Sequence, residues 1–243
     1  MISVILLAYN EESSLPLLIP ELESTLSSIP GPHRFVVVDD GSRDRTAETA
    51  RELAGKYPVV LASHPVNMGV AKAFDTGLRL ALRDAAPEDL IFTMEGDRTN
   101  DPACIPEMVR LLRDGRDIVC ASRYHPGGNY IGFPLKRRIL SVGANTLARL
   151  IFRVPGVKDY TIFYRGYRAA VLQRALEAYG DRFIECRGFA SNAEILVKTA
   201  KAVPLDCGEV AMIYRYDLKP GVSNMKIAKN LLEYLKLFLN VLR

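Results

Sequence analysis

The chain has few of the residues that hold soft metals or carry nucleophilic catalysis. Its 243 residues include four cysteines and three histidines. No two cysteines form a CxxC pair, and none of their spacings matches a zinc site. No histidine stands in a convincing pair with a carboxylate. This composition argues against zinc-dependent and disulfide-stabilised proteins, and we expect a reduced, cytoplasmic one.

Long apolar segments are also missing. No apolar run approaches the roughly 20 residues that a membrane-spanning helix needs. The apolar stretch 2–8 is too short for the core of a signal peptide with its cleavage site, and no basic segment precedes it. We therefore expect residues 2–8 to form a buried strand.

Acidic residues are absent from Ile118 to Lys158, although the chain as a whole carries a formal charge of only +4. A block of one sign usually marks a solvated or interacting surface. Phosphate groups or an anionic membrane are its natural partners, whereas the modest total charge and the lack of a known motif argue against nucleic acid. The block contains seven basic residues, namely Arg123, Lys136, Arg137, Arg138, Arg149, Arg153 and Lys158.

Strand and helix patterns alternate in the first half of the chain, which predicts a largely parallel sheet with ligands at the carboxyl ends of its strands. Ser42 is a candidate cap for the second helix. The predicted strands are 3–8, 36–38, 59–62, 90–93 and 117–121. The predicted helices are 12–29, 44–57, 69–83 and 102–113.

The second half opens with a Gly- and Pro-rich loop at 125–134 and a basic amphipathic helix at 135–152. A short strand and a helix to Tyr179 follow, then a helix at 191–201, a strand-like run at 203–216 and an amphipathic helix at 224–242. Either amphipathic helix can pack on the core or on a second subunit, or lie in a membrane interface, and the sequence leaves these alternatives open.

Two acidic motifs follow predicted strands. Glu95-Gly96-Asp97 comes after the strand 90–93, and Asp39-Asp40 comes after the strand that begins near residue 33. Mg²⁺ and Mn²⁺ take oxygen ligands, commonly one or two carboxylates together with substrate phosphates. The pair of motifs therefore predicts a site for a metal-bound diphosphate.

Polar motifs beside these acids are suited to a nucleotide. Tyr9 can stack on a base, the carboxylates of Asp39 and Asp40 can accept from base and ribose donors, and Gly41 permits a tight turn. The motif Asn67-Met68-Gly69 places a helix N-terminus nearby, which can favour phosphate. Packing of small residues against the sheet is an equally good explanation of the last motif.

The order of these motifs resembles that of the inverting nucleotide-sugar glycosyltransferases of the GT-A fold. Among them it is most similar to the dolichol-phosphate mannose synthases and their bacterial polyprenyl-phosphate relatives. The resemblance covers nearly the whole chain. It rests on Tyr9-Asn10-Glu11, Asp39-Asp40-Gly41-Ser42 with Asp44 and Thr46, Asn67-x-Gly69, Glu95-x-Asp97, Ser122-Arg123-Tyr124, Gly127-Gly128, Arg137-Arg138, Gly143-Ala144-Asn145 and Lys158-Asp159.

This resemblance implies an α/β protein of the GT-A fold, with a mostly parallel central sheet flanked by helices. It implies a single domain, 1–243, with a nucleotide-sugar-binding half at 1–122, an acceptor-binding half at 123–223 and a C-terminal amphipathic helix at 224–243. The implied activity is inverting, metal-dependent transfer of a hexose. The donor is of the GDP-mannose or UDP-glucose type, the acceptor is a polyprenyl or dolichyl monophosphate, and the cofactor is Mg²⁺ or Mn²⁺.

The two amphipathic helices leave open whether this cytoplasmic protein also lies at the cytoplasmic face of a membrane, held there by peripheral contact or by a membrane-protein partner, and a homo-oligomer is a further alternative. Carried over by motif, the catalytic residues are Asp97, Arg123 and Asp159, and the metal-binding residues are Glu95, Asp97 and Thr99. The nucleotide-binding residues are Ala8, Tyr9, Asn10, Glu11, Asp39, Asp40, Asn67, Gly69 and Lys72. The acceptor-binding residues are Arg123, Arg165, Arg215, Lys219 and Ser223.

The chain departs from the family pattern at several of these positions. Glu95 replaces the usual Asp of the metal motif, Thr99 replaces a Gln, and Phe163 stands where relatives have Gly. Two other functions therefore stay open. One is a glycosyltransferase for a soluble hydroxyl acceptor, which would need a base such as Asp159 or Glu194, and the other is a non-catalytic protein that binds sugar nucleotides.

Overall fold

The computed structural model of the protein describes residues 1–219 and 232–238. Its strands are β1 (Ile2–Ala8), β2 (His33–Asp39), β3 (Val59–Ser63), β4 (Leu90–Glu95), β5 (Ile118–Ser122), β6 (Asn129–Ile131), β7 (Arg165–Arg168), β8 (Cys207–Ala211) and β9 (Ile213–Arg215). Its helices are α1 (Leu15–Leu26), α2 (Thr46–Ala54), α3 (Val70–Leu82), α4 (Ile105–Arg113), α5 (Leu135–Phe152), α6 (Ala169–Tyr179) and α7 (Ala190–Ala202).

Seven strands form the central sheet in the order β3-β2-β1-β4-β7-β5-β8. All neighbouring pairs are parallel except those that involve β7, which runs antiparallel to both β4 and β5. Short strands β6 and β9 form a separate parallel pair. The expected mostly parallel sheet is confirmed, and β7 joins β4 to β5 and β8.

Both faces of the sheet are covered by apolar side chains. Alternate residues of β1 enter different cores: Ile5 packs with α3, α6 and α7, while Val4 and Leu6 pack with α1, α2 and α4. Successive side chains of a strand point to opposite faces, so a strand buried on both faces reads as a continuous apolar run. This explains why β1 was recognisable in the sequence.

Three local expectations were wrong. Ser42 does not cap α2, because its Oγ accepts a hydrogen bond from the Asn10 amide and the helix begins four residues later. The predicted loop 125–134 contains β6. The run 203–216 is divided at the buried Met212, whose amide and carbonyl bond to Ser122 and Asn129, so that β8 joins the large sheet and β9 the small one.

Helix α5 matches the predicted bounds, and among the described residues no helix is both long and apolar enough to cross a membrane. Most of the predicted helix 224–242 lies outside the described residues. Residues 232–238 are helical, and Tyr234, Leu237 and Phe238 are buried in the core. The Phe238 ring lies 5.2 Å from that of Phe152, at the end of α5.

Candidate active site

The carboxyl ends of β1, β2 and β4 meet at one edge of the sheet. Ala8 is paired with Asp39, and Leu7 with Glu95. The chain runs from β1 outward to β2 and β3, and then returns to place β4 on the other side of β1. Such a reversal leaves a crevice that binds ligands in open α/β sheets. We refer to the edge where β1, β2 and β4 end as the crevice.

Motif residues join the loops after β1 and β2. The Asn10 amide donates to Ser42 Oγ at 2.9 Å, and Asn10 Oδ1 accepts from the Arg43 amide at 2.8 Å. The Glu11 amide donates to Thr46 Oγ1 at 2.7 Å. Much of the sequence motif therefore holds the two loops together beside the crevice.

Asp39 is buried at the end of β2 and accepts a hydrogen bond from the Ser42 amide at 3.1 Å. The turn between them needs a glycine, because Gly41 has a φ of 65° and a Cβ there would lie 2.2 Å from the carbonyl carbon of Val66. This turn fixes the Asp39 carboxylate at the edge of the sheet.

Asp40 binds the chain itself. Its carboxylate accepts from the amides of Met68 and Gly69 at 2.9 and 2.8 Å, and His64 Nδ1 lies 2.7 Å from it. The amides that were candidates for a phosphate group at the start of α3 are thus bonded to Asp40. The His64–Asp40 pair escaped sequence analysis because 24 residues separate its members.

The small residues of α3 pack against the sheet, as the alternative explanation of its motif required. A Cβ on Gly77 would lie 2.5 Å from the side chain of Ile5 and 3.2 Å from that of Val38. At the start of the helix Asn67 is exposed, and the Lys72 ammonium lies 2.6 Å from Asp75.

The loop after β4 orients Asp97. Oδ1 of Asp97 accepts from the amide and the hydroxyl of Thr99 at 3.1 and 2.6 Å. Oδ2 contacts the ammonium group of Lys219. The Thr99 carbonyl in turn accepts from the Arg215 amide at 2.9 Å, which ties the end of β9 to this loop. Thr99 therefore orients the Asp97 carboxylate through two hydrogen bonds. Among the described residues, Lys219 provides a cation in contact with that carboxylate.

The pKa values of the Glu95 and Glu11 carboxyls are raised above the ordinary value for glutamate. Burial, followed by the charge of Asp97, raises the pKa of Glu95 to about 8. Burial also raises the pKa of Glu11 to about 7, against a hydrogen bond from Ser14 that lowers it. The Tyr214 hydroxyl lies 3.5 Å from Oε2 of Glu95. Carboxyls whose pKa is raised by burial in a crevice are typical of functional sites.

Arg123 is buried in an ion pair with Asp159. Its Nε and Nη2 donate to the two carboxylate oxygens at 2.8 and 2.7 Å, and Nη2 also donates to Thr161 at 2.6 Å. Burial alone would lower the pKa of Arg123, but Asp159 outweighs it and raises the pKa. Three tyrosine ring centroids lie within 5.2 to 5.7 Å of the guanidinium carbon, namely those of Tyr124, Tyr130 and Tyr214.

Asn145 anchors α5 to the segment that bears Asp159. Its Oδ1 accepts from the amides of Tyr160 and Thr161 at 2.6 and 3.2 Å, and its Nδ2 donates to Thr161 Oγ1 at 2.9 Å. Asn145 belongs to the family motif, but its role was not predictable from the sequence, and neither was that of Tyr214. Partners distant in sequence gave no local signal for either residue.

The other candidate acceptor residues are dispersed. Arg165 is buried in the core and donates to the carbonyl and side chain of Asn192 at 2.7 and 2.8 Å. Arg215 forms an ion pair with Asp217 at 2.8 Å near the surface. Ser223 lies outside the described residues. Of this group, Lys219 lies at the crevice carboxylates.

The donor set of the crevice fits a metal shared with a substrate. Residues 1–219 and 232–238 hold no group of three or more His, Cys, Asp and Glu side chains arranged to bind a metal by themselves. Glu95 and Asp97 nevertheless provide hard oxygen ligands, and Mg²⁺ or Mn²⁺ commonly combines one or two carboxylates with phosphate oxygens. The ammonium of Lys219 contacts Asp97, so a positive charge already lies beside this carboxylate.

Comparison with known proteins identifies the family. The model of Glycosyl transferase family 2 matches residues 3–176. A dolichol-phosphate mannosyltransferase of Pyrococcus furiosus is 31% identical over 173 residues, which cover 71% of this chain and 47% of that protein. A polyprenol monophosphomannose synthase of Mycolicibacterium smegmatis is 33% identical over 177 residues, covering 70% and 63%. The chain belongs to glycosyl transferase family 2, and the resemblance drawn from its motifs is confirmed.

The match to these relatives is partial. The chain spans about half to two thirds of the length of the two relatives just named. An undecaprenyl-phosphate mannosyltransferase of Micrococcus luteus is 29% identical over 194 residues, which cover 79% of this chain and 75% of that protein.

Solved structures agree on the fold. A glucosyl-3-phosphoglycerate synthase from Mycobacterium tuberculosis, in complex with Mn²⁺, UDP and glucosyl-3-phosphoglycerate, superposes with a TM-score of 0.64 at 21% identity. The alignment covers 100% of this chain and 78% of that one. The expected GT-A-like α/β fold is confirmed.

Proposed function

We propose that this protein transfers a hexose, preferably mannose, from a nucleotide-diphosphate sugar to a polyprenyl monophosphate. The observation that carries the proposal is the family membership together with three relatives that are all named as mannose-transferring enzymes of polyprenyl or dolichyl phosphates. Fold alone does not define function, so the residues of the site must also suit this reaction. The crevice offers acidic groups for a metal-bound diphosphate at the switch point of the sheet.

The donor would lie over the carboxyl edge of β1, β2 and β4. Asp39, held by the Gly41 turn, is placed to accept from the nucleoside, and Tyr9 follows β1 at the same edge. Glu95 and Asp97 would hold Mg²⁺ or Mn²⁺ beside the diphosphate. The bound ion would neutralise the negative charge that develops on the leaving diphosphate.

The acceptor would approach from the side of α5. Arg123 and Arg165 are engaged inside the protein, so other basic groups must meet the lipid phosphate. Arg137 lies on α5 with its Nη1 3.1 Å from the Tyr216 hydroxyl, and Lys219 lies at Asp97. We assign the acceptor phosphate to the space that these two cations border. Arg123 would hold in place the three tyrosines that surround its guanidinium.

The proposed chemistry is direct attack with inversion. A lipid monophosphate already carries an anionic oxygen near neutral pH, so it can attack the anomeric carbon without a strong protein base. A neutral hydroxyl acceptor would need one, and the two candidates are engaged elsewhere. Asp159 is paired with Arg123, and Glu194 is paired with Lys198 at 2.8 Å. These pairs favour the phosphate acceptor over the hydroxyl acceptor.

Helix α5 has the surface expected of a helix that lies on a lipid headgroup layer. The side chains at positions 135, 139, 142 and 150 follow one helical stripe and are 43–70% exposed. Lys136, Arg138 and Arg149 are exposed on the same helix, in the segment that contains no acid. An apolar stripe flanked by basic residues binds anionic bilayers. We propose peripheral contact through α5, which would bring the acceptor phosphate to the crevice.

Transfer of radiolabelled sugar tests the proposal. The protein is incubated with GDP-mannose or UDP-glucose that carries a radiolabelled sugar, and with either undecaprenyl phosphate or a hydroxyl acceptor. The lipid product is then extracted into organic solvent. We expect mannosyl transfer to the lipid phosphate, dependent on Mg²⁺ or Mn²⁺ and lost in Asp97→Asn. Transfer to a hydroxyl acceptor only, or unchanged turnover in Asp97→Asn, would contradict the proposal.

A further inference from the structure

Asp97 has one oxygen that is not used by its own loop. Oδ1 accepts two hydrogen bonds from Thr99, and a carboxylate oxygen offers about two lone-pair positions. A metal ion that binds Asp97 must therefore use Oδ2. That oxygen is in contact with the ammonium of Lys219, so the ion and the lysine compete for one atom.

Lys219 is held over the metal loop by its own segment of chain. The Arg215 amide is bonded to the Thr99 carbonyl, and the Tyr214 hydroxyl lies 3.5 Å from Glu95. The Lys219 amide donates to the Tyr216 carbonyl at 3.3 Å. The side chain is largely buried, with 17% of it exposed. The contact with Asp97 is thus part of a packed arrangement of the segment after β8.

We propose that Lys219 acts as a resident cation that blocks the free metal ion, so that the metal enters the crevice only together with a nucleotide diphosphate. This inference rests on the proposed metal–diphosphate site. A free divalent ion would have to expel a paired ammonium and then lie beside it. A diphosphate changes that balance, because it supplies further oxygen ligands and gives the released ammonium an anionic partner.

Binding of Mn²⁺ alone tests the inference without any transfer reaction. Free Mn²⁺ is measured by electron paramagnetic resonance while the full chain is titrated in, first without nucleotide and then with GDP or UDP. For the natural chain we expect weak binding of Mn²⁺ alone and at least about tenfold tighter binding with nucleotide, a size typical of coupled sites. Lys219→Met should tighten binding of Mn²⁺ alone by about tenfold or more and shrink the gain from nucleotide.

Three further variants make the result specific. Lys219→Arg keeps the charge and should bind Mn²⁺ alone as weakly as the natural chain. Lys56→Met removes the same charge from an exposed site just before β3, at the opposite edge of the sheet, and should change nothing. Adding Asp97→Asn to Lys219→Met should abolish the tighter binding of Mn²⁺ alone that Lys219→Met produces. Circular dichroism checks that each variant is folded.

Unchanged or weaker Mn²⁺ binding in folded Lys219→Met would overturn the inference. The inference would also be overturned if Lys219→Arg bound Mn²⁺ alone as tightly as Lys219→Met does. The same holds if the double variant with Asp97→Asn kept the tighter binding of Mn²⁺ alone. Absence of transfer to lipid phosphate, with the Mn²⁺ results as expected, would refute only the proposed function.

Discussion

Arg123 carries its charge inside the protein and shares it with Asp159, which is fully buried. Removing one member of a buried ion pair leaves the other charge unpaired, which typically costs about 3–5 kcal/mol. We therefore expect Arg123→Met to lower the free energy of unfolding by about that amount in urea denaturation. A residue that only binds acceptor phosphate would show no such loss.

The matched control is Arg215→Met, which removes an arginine from an ion pair nearer the surface. Such pairs contribute about 0–1 kcal/mol, so this variant should unfold almost as the natural chain does. Equal stability of the two variants would contradict a stabilising role for the buried Arg123–Asp159 pair.

Glu11 gives the metal-free protein a characteristic pH dependence. Its pKa is raised from 4.5 to about 7, so the folded chain retains a proton that the unfolded chain releases. The folded state therefore loses stability as the pH rises through this window. Glu11→Gln cannot ionise, and its free energy of unfolding should rise relative to the natural chain between pH 5 and pH 8. A difference that is constant with pH, measured by urea denaturation without metal, would contradict the burial assigned to Glu11.

Single residues were predictable where their neighbours in sequence explain them. Glu95 and Asp97 follow an apolar strand, and Gly41 marks a turn, so the carboxyl edge could be located from the sequence. Arg123 could not be interpreted in the same way, because the partner that binds its guanidinium is 36 residues away. A basic residue in a motif is equally compatible with a buried ion pair and with a phosphate site.

Helix α5 exposes apolar side chains that a helix packed on a core would bury. Replacing Ile139 and Leu150, each 63% exposed, with Glu should leave the fold stable and weaken membrane binding. Burial of an apolar side chain contributes about 1.5–3 kcal/mol, so we expect the bound fraction to fall at least about tenfold. Flotation with anionic liposomes at low salt measures this fraction.

Leu17→Glu is the control, since Leu17 on α1 is 51% exposed and lies outside the basic segment. It should float with liposomes as the natural chain does. Failure of the natural chain itself to float would contradict membrane contact through α5 and leave packing on the core or on a second subunit, the alternatives that the sequence left open.

Elements with a regular spacing of apolar residues were predicted well, whereas pairings between short strands were not. The bounds of α5 and the end of α6 at Tyr179 matched the prediction, because Pro134 precedes α5 and Gly180 follows α6. Strands β6 and β9 have three residues each and pair with each other across a long separation in sequence. Their hydrogen bonds depend on the position of Met212 between two sheets, which no local pattern reveals.

For the molecule as a whole, donor and metal should stabilise the fold together. A ligand that binds only the native state at a hundredfold excess over its Kd adds about 2.7 kcal/mol, which corresponds to about 5–10 °C in Tm for a chain of this size. We expect GDP-mannose with Mn²⁺ to produce such a shift, and either component alone to produce much less. Asp97→Asn should lose the joint shift, whereas equal shifts by nucleotide with and without Mn²⁺ would contradict a shared site.

The position of β7 has a consequence for the order in which the protein matures during synthesis. Strand β7 is translated after β5, yet it lies between β4 and β5. When residues 1–122 have left the ribosome, β4 still has an unpaired edge and β5 has no neighbour within that segment. Glu95 closes the strand with this open edge, so the carboxylates of the crevice gain their final surroundings only after β7 arrives. We therefore expect a nascent chain to bind the proposed nucleotide-sugar donor only after β7 has been made and has joined the sheet.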